Sequence, residues 1–335
     1  MRLFATLFGI GVATVVATVL ATAQVPAPAP AAASTTAPAP IPQTGAWAER
    51  SRSAEFRSEA ATAVLNGKVY LFGGLARGRE SHELTTEFDL ATSMWRERAP
   101  MPGPLSHPAA VVLNGKVYVV GGFLAQVHAQ AQNAAYEYDP AANSWRTLPP
   151  MKGPRGSVAL VAINNKIHAI GGRNPERVTI NTHEAYDPAT NRWAELAPLP
   201  ERRDHLFAGA ANGRIHVIGG RVDTPLDNSA RHDIYDVAAN TWSAGPPLPT
   251  PRSGGASAFL KGMIVVAGGE CRNTAPFNTV EGFDVKANRW VSLAPMPVGK
   301  HGIIGASDGQ MLFIGGGNPE CGMSFSDRLV TFTLP

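Results

Sequence analysis

The sequence predicts an all-β protein built as a six-bladed propeller, with four antiparallel strands in each blade. The pair Gly-Gly recurs six times, each time at the end of an apolar run, at intervals of 48, 50, 48, 49 and 47 residues. An aromatic-Asp pair and a Trp follow five of these glycine pairs at a constant spacing. A period near 50 residues is typical of propellers, in which each repeat is one supersecondary unit. The glycine pairs are Gly73-Gly74, Gly121-Gly122, Gly171-Gly172, Gly219-Gly220, Gly268-Gly269 and Gly315-Gly316.

The segment 107–149 illustrates one repeat and its four predicted strands, a to d. Strand a is the apolar run HPAAVVLN, and Asn114-Gly115 predicts a type I′ hairpin turn after it. Strand b is KVYVV, which ends at the double glycine, and strand c is AAYEY, which ends at Asp139-Pro140. Strand d is SWRT, which carries Trp145. Short strands joined by such turns predict an antiparallel meander.

The other repeats follow the same pattern. The hairpin turn is occupied by Asn66-Gly67, Asn164-Asn165, Asn212-Gly213, Lys261-Gly262 and Asp308-Gly309. The aromatic-Asp pairs are Phe88-Asp89, Tyr138-Asp139, Tyr186-Asp187, Tyr235-Asp236 and Phe283-Asp284. Seven residues after each aromatic come Trp95, Trp145, Trp193, Trp242 and Trp290. We expect each Trp to pack between neighbouring sheets, because it is the largest apolar side chain available.

This combination of apolar run, Gly-Gly, aromatic-Asp and Trp resembles the kelch repeat, and it covers residues 46–335. The resemblance implies a β-propeller with one repeat per blade. The last repeat ends without a Trp, whereas Trp47 precedes the first Gly-Gly. We therefore predict that the N-terminal segment AWAERS supplies strand d of the sixth blade, which closes the ring and removes an open sheet edge.

Residues 1–23 are typical of a secretory signal peptide, with Arg2, an apolar stretch and a small-residue site at Ala21-Thr22-Ala23. The alternative is an uncleaved membrane anchor. Residues 24–45 form a Pro/Ala-rich linker. We therefore expect a periplasmic or secreted monomer with no stable membrane span after cleavage of the signal.

Charge and cysteine content limit the function classes. Lys and Arg number 29 against 26 acidic residues, so a general nucleic-acid partner is not expected. Cys271 and Cys321 lie in corresponding loops of neighbouring blades, and in an oxidising compartment we predict a disulfide between them. The alternatives are two free thiols or a two-cysteine metal site.

Meander topology places the d–a and b–c loops on one face, which we predict to be the functional face because these loops vary while the others repeat.

One ring of positions lies at the start of strand a on this face. It holds an arginine in four blades, Leu105 in blade two and Gly299 in blade six. The arginines are Arg57, Arg155, Arg203 and Arg252. The b–c loops add Arg77, Arg79, Arg173, Asn174, Arg221 and Arg272. Converging arginines predict an electropositive funnel for an anionic ligand or acidic peptide; the alternative is that they serve the repeat itself, as the Pro-Arg pairs suggest.

A second ring, two residues further on, predicts a metal site. It holds Glu59, His107, Ser157, His205, Gly254 and His301. Three imidazoles on alternate blades, His107, His205 and His301, would suit zinc or another transition metal. The alternative is that they line a wet channel and that no cofactor is bound. The histidines at 168, 183, 216 and 232 occupy strand positions of the repeat and are predicted to be structural.

The resemblance implies either a binder or an enzyme. Copper radical oxidases of the galactose oxidase type are excluded, because every tyrosine except Tyr136 is explained by the repeat. The sialic-acid epimerase type is a secreted six-bladed kelch propeller, but its acid–base residues match no motif here, and Glu59 is the candidate. We predict a binding module for a protein, peptide or anionic carbohydrate; the alternative is an isomerase, epimerase or lyase acting on an acidic sugar.

Overall fold

Alternation and burial explain why each repeat forms four strands. In blade three, strand a is half buried, strand b and strand c are buried along almost their whole length, and strand d is largely exposed. Strands b and c are buried on both faces because they lie between the neighbouring blades. Strand d lies at the rim, where only its Trp side chain is partly covered.

The computed structural model describes residues 44–76, 80–125, 128–271 and 274–335. The predicted signal peptide and all but the last residues of the predicted linker lie outside this range. Within it there is no helix, and hence none with the length and apolar character needed to cross a membrane. The first strand is the long β1 (Ala46–Arg57).

Blade one contains β2 (Ala61–Leu65), β3 (Lys68–Phe72), β4 (Thr85–Asp89) and β5 (Met94–Arg98). Blade two contains β6 (Ala109–Leu113), β7 (Lys116–Val120), β10 (Ala135–Asp139) and β11 (Ser144–Thr147), and the two-stranded ribbon of β8 (Phe123–Ala125) and β9 (Ala129–Ala131) is inserted between β7 and β10. Blade three contains β12 (Ala159–Ile163), β13 (Lys166–Ile170), β14 (His183–Asp187) and β15 (Arg192–Glu195). Blade four contains β16 (Phe207–Ala211), β17 (Arg214–Ile218), β18 (His232–Asp236) and β19 (Thr241–Ala244). Blade five contains β20 (Ala256–Leu260), β21 (Met263–Ala267), β22 (Val280–Asp284) and β23 (Arg289–Ser292). Blade six contains β24 (Gly305–Ser307), β25 (Met311–Gly315) and β26 (Ser326–Thr333), together with β1. Six antiparallel four-stranded sheets form the propeller, which confirms the predicted fold class.

The N-terminal strand closes the ring as predicted. The sixth sheet has the order β1-β26-β25-β24, and β1 pairs antiparallel with β26, with Trp47 opposite Phe332. The Trp47 indole donates from Nε1 to the carbonyl oxygen of Ala294 in blade five over 2.9 Å. The two ends of the described chain therefore share one sheet, and the sixth blade has four strands like the other five.

The turns follow from residue chemistry. Asn114 and Gly115 both have positive φ, 51° and 73°, as a type I′ hairpin requires. In the c–d link, the Asp139 carboxylate accepts hydrogen bonds from the backbone N–H groups of Ala141 and Ala142. The Tyr138 hydroxyl donates to Asn143 Oδ1 over 2.8 Å. The aromatic-Asp pair therefore both fills the space between the blades and fixes the link to strand d.

The double glycine joins one blade to the next. Gly121 and Gly122 have φ values of 68° and 116°, and a Cβ atom on Gly121 would lie 2.4 Å from the carbonyl oxygen of Arg155. The N–H of Gly122 donates to that same carbonyl oxygen over 3.1 Å. Only glycine allows this close approach of two backbones with positive φ.

In blade six, the equivalent glycines are Gly316 and Gly317, not the predicted Gly315-Gly316. Gly316 and Gly317 have φ values of 69° and 88°, and the N–H of Gly317 donates to the carbonyl oxygen of Arg57. Gly315 instead lies within β25. The repeat therefore shifts by one residue in the last blade, and this shift affects the site described below.

Candidate functional site

Six backbone hydrogen bonds form a closed ring around the central channel. Each bond joins one blade to the preceding blade. It links residues at the same position, which lies two places before strand a in five blades and three places before it in blade six. The donors are the N–H groups of Glu59, His107, Ser157, His205, Gly254 and Gly302, and the acceptors are, in the same order, the carbonyl oxygens of Gly302, Glu59, His107, Ser157, His205 and Gly254. All six residues have positive φ. The ring fixes which side chains stand at the channel mouth.

This ring agrees with the predicted second ring in five blades and differs in the sixth. Gly302, not His301, occupies the position in blade six. His301 instead pairs its backbone with Asn318, the residue after the double glycine. A register shift of one residue changes the direction in which a side chain points. His301 therefore does not complete the predicted histidine triplet.

The four predicted funnel arginines do not reach the mouth. They are almost fully buried, with exposures of 0–3%. Each side chain hydrogen-bonds into the blade whose strand a follows it in the chain. Arg155 donates from Nη1 to Glu184 Oε2 over 2.6 Å and from Nη2 to the carbonyl oxygen of Ala169 over 3.2 Å. Arg203 pairs in the same way with Asp233, Arg252 with Glu281, and Arg57 with backbone carbonyls and Thr86. The expected electropositive funnel built from these side chains is therefore wrong.

Blade six places Lys300, not Gly299, at this arginine position. Its carbonyl oxygen accepts from Gly269, and its ammonium donates to the carbonyl oxygen of Gly316 and to Ser326 Oγ. Burial lowers the pKa of Lys300 to about 8, and the charge of Arg328 adds to the effect. In the five blades that have a cation at this position, its side chain donates to carbonyl oxygens near the end of strand b.

A cavity of about 420 Å³ opens at the channel mouth, on the face predicted to be functional. Its walls come from the hydrogen-bonded ring, from the residues after the double glycines and from the b–c loops. They include Glu59, His107, His128, Arg173, His205, Arg221, Glu270, His301 and Asn318. The ring residues also line a narrow neck of about 50 Å³ that contacts Ile303 and Ile304. The predicted face therefore holds a cavity lined by several ionisable residues, although these differ from the predicted set.

Asp204 organises the charged wall of this cavity. Its Oδ2 accepts from Arg173 Nε over 2.5 Å and its Oδ1 accepts from Arg221 Nε over 2.9 Å. Oδ1 also lies 2.7 Å from His205 Nδ1. Burial opposes ionisation of Asp204, but His205, Arg221 and Arg173 outweigh it and hold the pKa of this carboxyl well below its usual range.

Both arginines at the mouth are paired. Arg221 also donates from Nη1 to the Glu270 carboxylate, and Arg173 donates from Nη2 to the carbonyl oxygen of Asp223 over 2.7 Å. Among the described residues of the wall, two guanidinium groups therefore face two carboxylates, Asp204 and Glu270, and these four charges balance. Arg173 and Arg221 therefore contribute little electrostatic attraction for anions.

Glu59 is a carboxyl group held in its neutral form. Burial raises its pKa to about 8, the nearby Glu270 carboxylate adds to the rise, and Arg221 opposes it. Gly302 leaves the space that Glu59 needs, since a Cβ atom there would lie 2.3 Å from Glu59 Oε1. Glu59 Oε2 lies 3.3 Å from His107 Nε2. A protonated carboxyl in a polar cavity can donate or accept a proton near neutral pH.

Three imidazoles meet beside Glu59. His107, His128 and His205 each offer a nitrogen, and these nitrogens all lie within 4.8 Å of one another. Burial and the charges of the neighbouring histidines lower the pKa of both His107 and His128, so these two are neutral. Sequence reasoning missed His128, which lies between β8 and β9 in the inserted ribbon of blade two. The signal was present, because a histidine in a b–c segment longer than the repeat requires is not explained by the repeat.

The other predicted site residues differ in whether and how the structure places them. Asn174 does not line the cavity, and its Oδ1 accepts from the N–H of Val178 over 2.9 Å within its loop. Arg77, Arg79 and Arg272 lie outside the described residues. Cys271 and Cys321 form the predicted disulfide, with Cα atoms 5.7 Å apart, and Cys271 lines the cavity.

The four strand histidines are structural, as predicted. His168 and His183 form one buried pair, with Nδ1 of the first 2.9 Å from Nε2 of the second. His216 and His232 form an equivalent pair in blade four over 2.8 Å. The second nitrogen of His183 and of His232 lies close to a backbone carbonyl oxygen, of Ala197 and Pro246 respectively.

Comparison with known proteins agrees with this architecture. The sequence model of the Attractin/LZTR1 β-propeller family matches residues 69–327. The solved structure of YjhT superposes with a TM-score of 0.70 at 17% sequence identity, covering 84% of this chain and 99% of that one. At this identity the similarity concerns the fold alone. A search of curated proteins gives no match. Because the family match spans most of the blades, this chain belongs to the Attractin/LZTR1 family of kelch-type β-propellers.

Proposed function

We propose that this chain is a binding module whose mouth cavity takes a small polar ligand of the carbohydrate class. The observation that supports it is the cavity of about 420 Å³, which falls in the size range of small-molecule sites. Its walls mix donors and acceptors from the ring and the b–c loops, including Glu59, Asn318 and His301. Hydroxyl groups both donate and accept, so a small saccharide can hydrogen-bond to these polar side chains.

The charge balance narrows the class of ligand. Arg173 and Arg221 are already paired with Asp204 and Glu270, so a ligand carboxylate would compete with two protein carboxylates for the same guanidinium groups. Neutral saccharides avoid this competition. We therefore expect neutral sugars to bind at least as tightly as sugar acids, and we expect binding to depend only weakly on salt.

Calorimetric titration tests the proposal with a panel of neutral monosaccharides and disaccharides, sialic acid and uronic acids. Asn318→Ala should weaken binding of the best ligand about tenfold or more, because the loss of one buried hydrogen bond has that magnitude. Gln310→Ala is the matched control: it lies in the exposed a–b turn of the same blade and should bind like the wild type. Absence of binding across the panel, or equal loss in both variants, would overturn the proposal.

A second candidate function is proton transfer on a sugar, as an isomerase or epimerase. Glu59 favours it, because its pKa of about 8 lets it exchange a proton near neutral pH. Incubation of the same sugars in D₂O tests this by NMR: an enzyme would introduce deuterium at one carbon, and Glu59→Gln would abolish the exchange while a bound sugar is still detected. No exchange with any sugar that binds would leave the binding module alone.

We also propose that the protein works in the periplasm or outside the cell. The Cys271–Cys321 disulfide supports this, because such bonds persist in oxidising compartments. Sequencing the N-terminus of the protein recovered from a secretory host tests the predicted cleavage after residue 23. Retention of residues 1–23 in the mature protein would contradict it.

A further inference from the structure

The three imidazoles at the mouth come from separate parts of the chain. His107 and His205 belong to the hydrogen-bonded ring in blades two and four, and His128 reaches the same place from the ribbon between β8 and β9. His128 Nε2 lies 3.3 Å from His205 Nε2. Two ligand nitrogens bound to one tetrahedral ion at about 2.0–2.1 Å are separated by about 3.3–3.4 Å. The spacing of this pair is therefore that of two ligands of one ion.

Carboxyl groups lie beside two of the three rings. His205 Nδ1 lies 2.7 Å from Asp204 Oδ1, and since the carboxylate only accepts, Nδ1 carries the hydrogen. Nε2 of His205 is then left with its lone pair facing His128. Glu59 Oε2 lies 3.3 Å from His107 Nε2, while Nδ1 of His107 is buried without a hydrogen-bond partner. A carboxylate behind a histidine, as Asp204 lies behind His205, is the usual support of a metal ligand, because it fixes the tautomer and the ring orientation.

We propose that His107, His128 and His205 bind one transition-metal ion of the zinc type, with its fourth position open to the cavity. Neutral imidazole ligands suit zinc, copper and nickel rather than magnesium or calcium. The inference goes beyond the proposed sugar binding and does not depend on it. It also revises the triplet predicted from sequence, since His128 takes the place of His301.

One cation lies close to the site and has to be accommodated. Arg221 Nη2 lies 3.3 Å from His205 Nε2. The Asp204 and Glu270 carboxylates on either side of Arg221 neutralise most of its charge at the position of the ion. Glu59 provides a further carboxyl group beside the site. Without an ion, the same contacts would be a hydrogen-bond network among Ser157, His128, Arg221 and His205, and the experiment distinguishes the two.

Cobalt titration of the full chain, prepared without a histidine tag and treated with chelator, tests the proposal. We expect one Co²⁺ per chain, with the visible absorption of a four-coordinate site, and displacement by Zn²⁺. His128→Ala should weaken Co²⁺ binding at least tenfold. His128 lies in a half-buried loop outside the blades, so this variant should keep the melting temperature of the wild-type apoprotein.

Two further variants make the result decisive. His205→Gln should also lose Co²⁺ affinity, whereas His301→Ala, at the same mouth but outside the cluster, should bind like the wild type. The proposal is overturned if the wild type binds no Co²⁺ or Zn²⁺ at micromolar concentration. It is equally overturned if His128→Ala binds as tightly as the wild type, or if His301→Ala loses as much affinity as His128→Ala.

Discussion

Replacing Glu59 by Gln should change how stability depends on pH. The folded state raises the pKa of Glu59 from an ordinary 4.5 to about 8, chiefly through burial. The wild-type carboxyl is therefore neutral in the fold below pH 8 but ionised in the unfolded chain above pH 4.5. The wild type should lose stability relative to Glu59→Gln as pH rises through this window, because Gln never has to ionise.

The size of the effect follows from the same shift. At 1.36 kcal/mol per pKa unit, the full change corresponds to about 5 kcal/mol. The Glu59 side chain keeps 14% of its surface exposed at the cavity, and water there relieves part of the cost. We therefore expect about 2–3 kcal/mol in favour of Glu59→Gln at pH 9 and nearly equal stability at pH 5.

Urea unfolding at a series of pH values between 5 and 9 measures this difference directly. Glu195→Gln is the matched control, because this side chain lies 64% exposed on a rim strand and should follow the wild type at every pH. A free-energy difference between Glu59→Gln and the wild type that stays constant from pH 5 to pH 9 would refute the reasoning, since Glu59 would then ionise as it does in the unfolded chain.

Three further changes test the fold. Arg155→Met should lower the free energy of unfolding in urea by about 3–5 kcal/mol, because it leaves the fully buried Glu184 unpaired. The double variant Arg155→Met with Glu184→Gln should recover part of this loss, and an equal loss in the single and double variants would contradict the pairing. Replacing Cys271 and Cys321 by Ser opens a loop of 50 residues, which should remove up to about 4 kcal/mol and lower the melting temperature; an unchanged melting temperature would mean that the bond adds nothing. A chain starting at residue 45 should fold like the full protein. A chain starting at residue 57 lacks nearly all of β1 and should elute as aggregates in size-exclusion chromatography. If this shorter chain were instead a soluble monomer as stable as the full protein, closure by β1 would be contradicted.

The fold was predictable because its signals are local. A type I′ turn at Asn114-Gly115 and a close backbone approach at Gly121-Gly122 depend on residue types that tolerate positive φ. Both inferences concern which conformations a residue permits, and the sequence carries that information directly. Trp47 was informative for a different reason: a Trp that precedes the first glycine pair of the repeat has to complete another blade.

The direction of the arginines was less accessible. Arg155 and its counterparts look like a funnel when only strand a is considered. Their acceptors lie near the start of strand c, where Glu184, Asp233 and Glu281 stand at equivalent positions. Blade two, which has Leu105 in place of the arginine, has Tyr136 at the position of these acidic residues. This matched variation is visible in the sequence, and it points to structural pairing rather than to a ligand.

The sequence alone determined the number of blades, the four strands of each, the closure by β1 and the face that holds the cavity. Only the tertiary structure decided which residues meet there. Three consecutive glycines, 315–317, allow two registers in blade six, and the hydrogen bond from Gly317 to Arg57 selects one of them. Neither His128, which comes from an inserted ribbon, nor Gly302, which replaces His301 in the ring, follows from the repeat. The physical reason is that a site on the propeller axis collects one residue from each of several blades, so its composition depends on long-range register, where a shift of one residue turns a side chain away.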